Sequence, residues 1–392
     1  MNYFYIFVAL DSLILALSLN LAHVVTPRRM RLSMASSRYS GLEKTLKKEY
    51  ASFFSPMERQ FYAEDVTFVD PLTSFTGIDK YQNNVDMLAG RTSLGRILFD
   101  DANIVLHNIK DLGENRIQTR WTLQVNVKFL PWKPRAKFTG VSIYTVSGEP
   151  GSEKVVRQED YWDSVNLKGG KYQAMGFVDG LSDFLGQIFD NPDSGGAEMA
   201  APELPYELLR RHPMYDVKRY PNALVAQTKY SQRPEGYDRL GSYAGGSNVR
   251  EERVTFFTPT LMSITDSDGG KREKRMTWPL KFNIPGEPLP SVDSLPEPTI
   301  NNVNLFDTST NPQGPLGRTY AILRFEKAAT EEMVRGFTRE LLRDITADGL
   351  KPVESQNSVQ GDCLVAQFDA LFSLNKRRNE IWIELESHDW EE

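Results

Sequence analysis

The sequence predicts an α+β protein of two domains, and three observations predict it. The chain has 392 residues, more than twice the roughly 150 of an average domain. Its composition, 40% hydrophobic and 25% charged, supplies apolar side chains enough for two cores. Between Asp190 and Pro205 it turns to Asn, Pro, Asp, Ser, Gly, Ala and Glu, the composition of a linker, and helix-period segments stand beside alternating runs on both sides of it. The division is a targeting presequence over residues 1–41, a first α+β domain over 42–189, a linker over 190–204 and a second domain over 205–388.

The first domain opens with Leu42, Leu46, Tyr50, Phe53, Phe54, Met57 and Phe61 at helical spacing. Asp65 to Asp70 alternates as a strand ended by Pro71, and Gly77 to Leu88 reads as a second short helix. Strand-like runs follow at 103–109, 116–129, 137–147 and 155–167, and Phe177, Leu181, Phe184, Leu185 and Ile188 then mark one face of an amphipathic helix.

The second domain opens with strands over 206–210, 215–220 and 223–230. Tyr237 to Tyr243 reads as a short helix stopped by Gly245 and Gly246. Val254–Ile264 and Met276–Ile284 face each other across Asp266-Ser267-Asp268-Gly269-Gly270, a hairpin loop. A strand over 319–325 leads into a helix over 330–348, capped by Thr330 and stopped by Gly349, and strands over 363–368 and 380–385 close the domain. The order strand–strand–helix–hairpin thus occurs twice, before about residue 290 and after 318, which suits a barrel of about eight strands with two helices.

The N-terminus reads as an address. Tyr3 to Ala22 is nearly all apolar, and a basic, serine-rich, acid-free stretch with Arg28, Arg29, Arg31 and Arg38 follows. The first part suits a signal-peptide core; Asp11 near its middle would cost ~2.5–3.5 kcal/mol in a spanning helix. The second part suits a transit peptide, and the two in series resemble the bipartite presequence of plastid proteins in algae with complex plastids. The chain has no Asn-X-Ser/Thr sequon and one cysteine, Cys363, which favours an organelle over secretion. Residues 1–42 carry four Arg and one Asp, +3, so removing them takes the net charge from −6 to −9. That balance gives the chain no general attraction to nucleic acid.

No phosphate loop, nucleophile elbow, zinc-protease helix or dinucleotide fingerprint occurs. His23, His107, His212 and His388 lack metal-ligand spacing, and one cysteine excludes multi-cysteine zinc and iron–sulfur sites. In the first domain a buried Asp70 or Asp163 could act as a general base; the plainer reading makes Asp70 a turn former and Asp163 a strand end. Lys271 to Arg275 is basic and reads as a solvated strand end. The aromatic set is more informative. Tyr237, Leu240 and Tyr243 share one face of the short helix, and Phe256, Phe257, Met262, Met276, Trp278 and Phe282 lie on the adjacent hairpin. Core packing accounts for such a set, and so does a flat apolar ligand pocket.

The second half resembles the SOUL haem-binding family over nearly all of residues 203–388. The resemblance is carried in order by Pro205-Tyr206-Glu207-Leu208-Leu209-Arg210, Tyr215-Asp216-Val217-Lys218-Arg219-Tyr220 and Tyr243-Ala244-Gly245-Gly246-Ser247-Asn248. Tyr320-Ala321-Ile322-Leu323-Arg324-Phe325 and Arg377-Arg378-Asn379-Glu380-Ile381-Trp382-Ile383-Glu384-Leu385 complete it. It implies a distorted β-barrel of two similar halves with two helices, and non-covalent binding of haem or another tetrapyrrole without an established catalytic role. The family's pocket lies beside its first helix, which makes Tyr237, Leu240, Tyr243 and Phe256 the candidate contacts. Where some members carry a histidine proposed as iron ligand, this chain has Arg219, which stays protonated and can pair with a propionate but cannot ligate iron. His212, seven residues upstream, is the alternative ligand.

Residues 42–189 are similar to an uncharacterised domain fused ahead of plant and algal SOUL modules, through Phe61-Tyr62-Ala63-Glu64-Asp65-Val66-Thr67-Phe68-Val69-Asp70-Pro71, Phe75-Thr76-Gly77-Ile78, Tyr81 and the stretch from Trp121. This implies the cone-like α+β fold of the nuclear-transport-factor-two superfamily, helices first and a curved antiparallel sheet after. The expectation is therefore a non-enzymatic plastid carrier of a tetrapyrrole ligand. The alternatives are a scaffold that associates with a membrane or lipid surface, with an exposed apolar patch on the 177–189 helix, and an enzyme working in the first domain.

Overall fold

The computed structural model describes residues 38–149, 151–189, 201–267, 271–284, 286–311, 314–326, 328–353, 363–369 and 378–388. The expected presequence up to residue 37, residues 190–200 of the expected linker and residues 268–270 of the expected hairpin loop lie outside the described residues. Two compact units emerge, the first reaching residue 195 and taking in 210–212, the second formed by 196–209 and 213–388.

The first unit opens with α1 (Ser40–Ala51), which buries Leu42, Leu46 and Tyr50, one face at i, i+4 and i+8. β1 (Tyr62–Val69), β2 (Ser74–Thr76), α2 (Ile78–Leu88), α3 (Ser93–Leu98) and β3 (Phe99–Gly113) follow. β4 (Arg116–Val127), β5 (Arg135–Ser147), β6 (Lys154–Trp162), the turn α4 (Asp163–Asn166), the short pair β7 (Leu167–Lys168) and β8 (Lys171–Tyr172), and α5 (Phe177–Phe189) complete it. The six-stranded sheet has the order β2-β1-β6-β5-β4-β3. It is antiparallel except where β1 lies parallel to β6 with Val69 opposite Glu159. One core joins Leu42, Leu46, Ile78 and Tyr81 of the helices to Ile117, Tyr144 and Val155 of the sheet. A second gathers Tyr50, Trp121, Phe138 and Trp162, with Phe184 of α5 against it. This is the helix-first α+β fold that was expected. α3 was not: its six residues are too few for a helical period, and Thr92, whose side chain accepts from Gly95 N–H, starts it.

The second unit contains β9 (Glu207–Arg211), β10 (Asp216–Arg219), β11 (Ala223–Lys229), α6 (Arg233–Gly245), β12 (Thr260–Ser267) and β13 (Lys271–Phe282). β14 (Val303–Asp307), β15 (Thr319–Phe325), α7 (Glu331–Ala347), β16 (Leu364–Gln367) and β17 (Asn379–Glu384) follow. The sheet order is β14-β11-β13-β12-β16-β17-β15-β10-β9. Set β10-β11-α6-β12-β13 beside β14-β15-α7-β16-β17 and exchange the halves: apart from β9, the order reads the same in reverse. Each half lends its first strand to the second strand of the other, β10 to β15 and β14 to β11. The repeat expected after residue 318 is thus a repeat in the sheet, and its second half begins earlier, at Val303 of β14.

The expected barrel is not closed by hydrogen bonds. β14 and β9 end the order, and no strand pair joins them among the described residues. Side chains do the enclosing. Val225 of β11, Leu261 of β12, Tyr320 of β15 and Trp382 of β17 meet in one core although their strands are spread across the sheet, so the sheet curls about them. Tyr220 stacks on Trp382 at 4.3 Å with planes 19° apart.

Candidate ligand-binding site

α6 begins four residues before the expected Tyr237, because Pro234 in its first turn has no N–H to satisfy there. It ends at Gly245, where Gly246 takes φ +122° and turns the chain out of the helix. The carbonyls of Ser242, Tyr243 and Ala244 at this end are engaged. Gly246 N–H donates to Tyr243 O, Ser247 N–H to Ser242 O at 2.9 Å, and Val254 N–H to Ala244 O at 2.9 Å. The Asn248 amide donates to Glu252 O at 2.7 Å and holds the turn. The returning segment 253–256 is thereby laid along the end of the helix.

Between them lies a pocket of about 390 Å³ lined by Ala201, Pro202, Gly241, Ala244, Gly245, Arg253, Val254, Thr255 and Phe256. Its third wall, Ala201 and Pro202, is pinned by Thr258 N–H donating to Pro202 O at 2.8 Å and Leu204 N–H donating to Thr258 O at 2.7 Å. Seven of the nine lining residues are apolar, and Arg253 brings the one full charge, exposed and without an ion pair among the described residues. Apolar walls with a few polar groups are the usual make-up of a small-molecule site. Behind the wall Phe256 stacks on Trp278, centroids 4.1 Å apart and planes 21° apart. Trp278 is 6% exposed and its Nε1 has no hydrogen-bond partner among the described residues.

Of the six candidates, Phe256 lines the pocket. Leu240 and Tyr243 are buried on α6 behind it, and the Tyr243 hydroxyl donates to Pro296 O at 3.0 Å. Burial pushes the Tyr243 phenol up to about 12 and raises that of Tyr237, whose ring lies 6.2 Å from Trp278. Arg219 does not reach the pocket: at the end of β10 it pairs with Glu207 at 3.1 Å. His212, in the turn after β9, is not among the lining residues either. Arg253 and the small residues Gly241, Ala244 and Gly245 were missed. Arg253 follows the helix by eight residues with no periodic signal, and small residues become a pocket only once a second segment faces them.

A tetrapyrrole was tested against this site. The apolar walls suit the edge of a macrocycle and Arg253 suits its carboxylate. Iron finds no partner, since none of the nine lining residues carries an imidazole, thiol, thioether or phenol. No group of three or more metal-ligating side chains occurs among the described residues.

In the first unit, Asp163 is not a free base. Fully buried, it accepts from Arg120 through both guanidinium nitrogens, from Thr139 at 2.5 Å and from Tyr172 at 2.6 Å. Burial alone would raise its carboxyl; the Arg120 guanidinium outweighs that and holds it low. Asp70 accepts from Leu72 and Thr73 N–H at 2.7 and 2.6 Å, which forms the turn. Burial and the charge of Asp160 still push it up to about 7, and burial pushes Asp160 up to about 6.

The second unit thus joins a curled antiparallel sheet to two helices with an apolar pocket at the end of α6, and the first is a helix-backed α+β sheet domain. Residues 201–384 match the family described as SOUL heme-binding protein, so a SOUL domain is present. Residues 41–151 match a second family, described as an uncharacterized conserved protein, DUF2358. Among solved structures the chain is similar to an NTF2-like protein of unknown function from Cytophaga hutchinsonii, at 13% identity over 33% of this chain and 95% of that one, TM-score 0.23. It is similar also to one from Exiguobacterium, at 17% identity over 30% and 98%, TM-score 0.23. A third is SalBIII, an epoxide hydrolase/cyclase-like enzyme in pyran ring formation in polyether salinomycin, at 12% identity over 31% and 91%, TM-score 0.25. No curated protein matches the chain.

Proposed function

We propose that the protein is a non-enzymatic carrier that holds a tetrapyrrole non-covalently in the pocket at the end of α6. The observation that carries this reading is the pocket itself: apolar walls from Val254 and Phe256 with one cation, Arg253, that has no ion pair among the described residues, inside the residues that match a heme-binding family. When bound, a haem would supply an iron centre; the chain's own residues hold the macrocycle edge and pair Arg253 with a carboxylate. Recognition then rests on the ring and its acid groups, and the metal is incidental.

The test is a titration of the full chain with haemin, with metal-free protoporphyrin and with haem dimethyl ester, followed by visible absorption. Haemin and protoporphyrin saturate at one per chain with similar affinity, and the ester binds roughly tenfold more weakly, the worth of one charge-assisted contact. Arg253→Ala removes the difference between acid and ester. Absence of saturable binding by any of the three would end this reading.

The plastid is the proposed location, supported by the apolar and then Arg/Ser-rich order of residues 3–40. The test is a fusion of residues 1–42 to a fluorescent protein, which should be carried to the plastid of an alga with a complex plastid; retention in the cytosol or secretion counts against it.

A further inference from the structure

Three elements of the first unit converge on an exposed face. Lys128 N–H, leaving β4, donates to Leu98 O at 2.8 Å and joins the β4–β5 loop to α3. Trp132 Nε1 in that loop donates to Ile188 O at 3.1 Å, and its ring lies 6.1 Å from Phe189 at the end of α5. Beneath, Val127, Leu130 and Ile188 form a small buried cluster that anchors the loop. The loop thus has its apolar anchors already, yet Phe129, Trp132, Ile97 and Phe189 stand 41, 48, 63 and 63% exposed.

The charge around them is one-sided. Residues 127–137 contain Lys128, Lys133, Arg135 and Lys137 and no acidic residue, in a chain of net charge −6. Lys128 and Lys133 are exposed and form no ion pair among the described residues, and Arg96 of α3 is exposed beside Ile97. Asp100 and Asp101, exposed at the start of β3, are the opposing charges nearby, Asp100 opposite Asn126. Arg96, Lys128, Lys133 and Arg135 outnumber them.

We propose that this face docks on an anionic lipid surface. Aromatic side chains at a loop tip, interleaved with unpaired lysines, are what the headgroup layer of a bilayer selects: rings settle at the boundary while cations reach lipid phosphates. A protein partner would favour the aromatics but not the lysines, which are depleted from protein interfaces. No helix among the described residues is long and apolar enough to cross a membrane; docking needs only the loop and the two helix ends.

Because Tyr3–Ala22 is itself apolar, the readout must be local. Hydrogen–deuterium exchange of the full chain is measured with vesicles of phosphatidylcholine alone and of phosphatidylcholine mixed with phosphatidylglycerol. Mixed vesicles protect the amides of 128–135, protection weakens in high salt, and phosphatidylcholine alone gives little. Lys128→Glu with Lys133→Glu, which touches no packed residue, shifts the half-protecting lipid concentration upward roughly tenfold or more. Phe129→Ser with Trp132→Ser does the same. Vesicle binding that leaves 128–135 unprotected overturns the proposal. So does protection that ignores lipid charge, or that appears only when an acidic protein is added.

Discussion

Phe256 and Trp278 lie face to face, 4.1 Å between centroids, one ring in the pocket wall and the other buried behind it. A ligand against Phe256 is therefore two ring thicknesses from the Trp278 indole. Tetrapyrrole binding should quench tryptophan emission, and Trp278→Phe should remove most of that quenching while changing affinity less than about threefold, because the aromatic stack survives. Phe256→Ala should weaken binding about tenfold, the worth of one partly buried aromatic wall. Unchanged quenching in Trp278→Phe would place the ligand elsewhere.

Gly241 offers a way to close the pocket without harming the fold. A side chain started there meets the Trp278 ring at 3.9 Å, an ordinary contact, and otherwise opens into the pocket. Gly241→Leu should therefore fill the site, and it removes a helix glycine worth about 0.8–1.0 kcal/mol against a good helix former. The expected result is a melting temperature that is unchanged or higher and no measurable tetrapyrrole binding. Binding at full affinity would show that the ligand does not enter beside α6.

The Arg120–Asp163 pair bears on stability rather than chemistry. Arg120 is 6% exposed and Asp163 wholly buried, with Thr139 and Tyr172 completing the carboxylate's shell. Asp163→Ala would strand a buried guanidinium and cost the first unit about 3–5 kcal/mol. Replacing both together, Arg120→Met with Asp163→Leu, should recover much of that loss. Chemical denaturation of the two variants checks it; an Asp163→Ala variant as stable as the parent would refute the account.

What the sequence disclosed follows from how local each signal is. Leu42, Leu46 and Tyr50 mark α1 because a helix face repeats within one segment, and Thr330 marks the start of α7 because its hydroxyl accepts from Met333 three residues on. β14 gave no such signal: its five residues are mostly half-buried and hold their place only by pairing with β11. Val254 to Pro259 reads as strand by its apolar residues, but Val254 is bound to the end of α6, Phe257 to Pro279 and Thr258 to Pro202, and β12 begins only at Thr260. The site was legible to the same degree. Phe256 is conspicuous as an aromatic, whereas Arg253 matters only through the turn that carries it back to the helix. Arg219 occupies a suggestive position in the chain, yet its neighbour is Glu207, fixed by strand pairing that no local pattern reveals.

Asp70 and Asp160 give the first unit an unusual dependence on pH. Asp70 follows Val69 just past the end of β1, Asp160 follows its partner Glu159 on β6, and Phe68 and Gln158, two residues before each, are buried. Burial, with Asp160's charge added for Asp70, lifts the two to about 7 and about 6 from an ordinary 3.8. A carboxyl whose folded value lies above its unfolded value binds more protons in the folded state between them, so folding loses stability as pH rises from about 4 to about 7. Glu49, raised by burial, acts in the same direction. Asp163, held low, contributes only by a loss below about pH 4 and leaves this window flat. Asp70→Asn keeps the Oδ1 that accepts from Leu72 and Thr73 but cannot ionise. It should therefore stabilise the protein at pH 8 by about 2 kcal/mol, leave it nearly unchanged at pH 4, and flatten the slope between. Urea denaturation at several pH values reads this directly. A variant that is less stable at pH 8 would mean that the charge of Asp70 is welcomed by its surroundings and that the turn, not burial, sets its role.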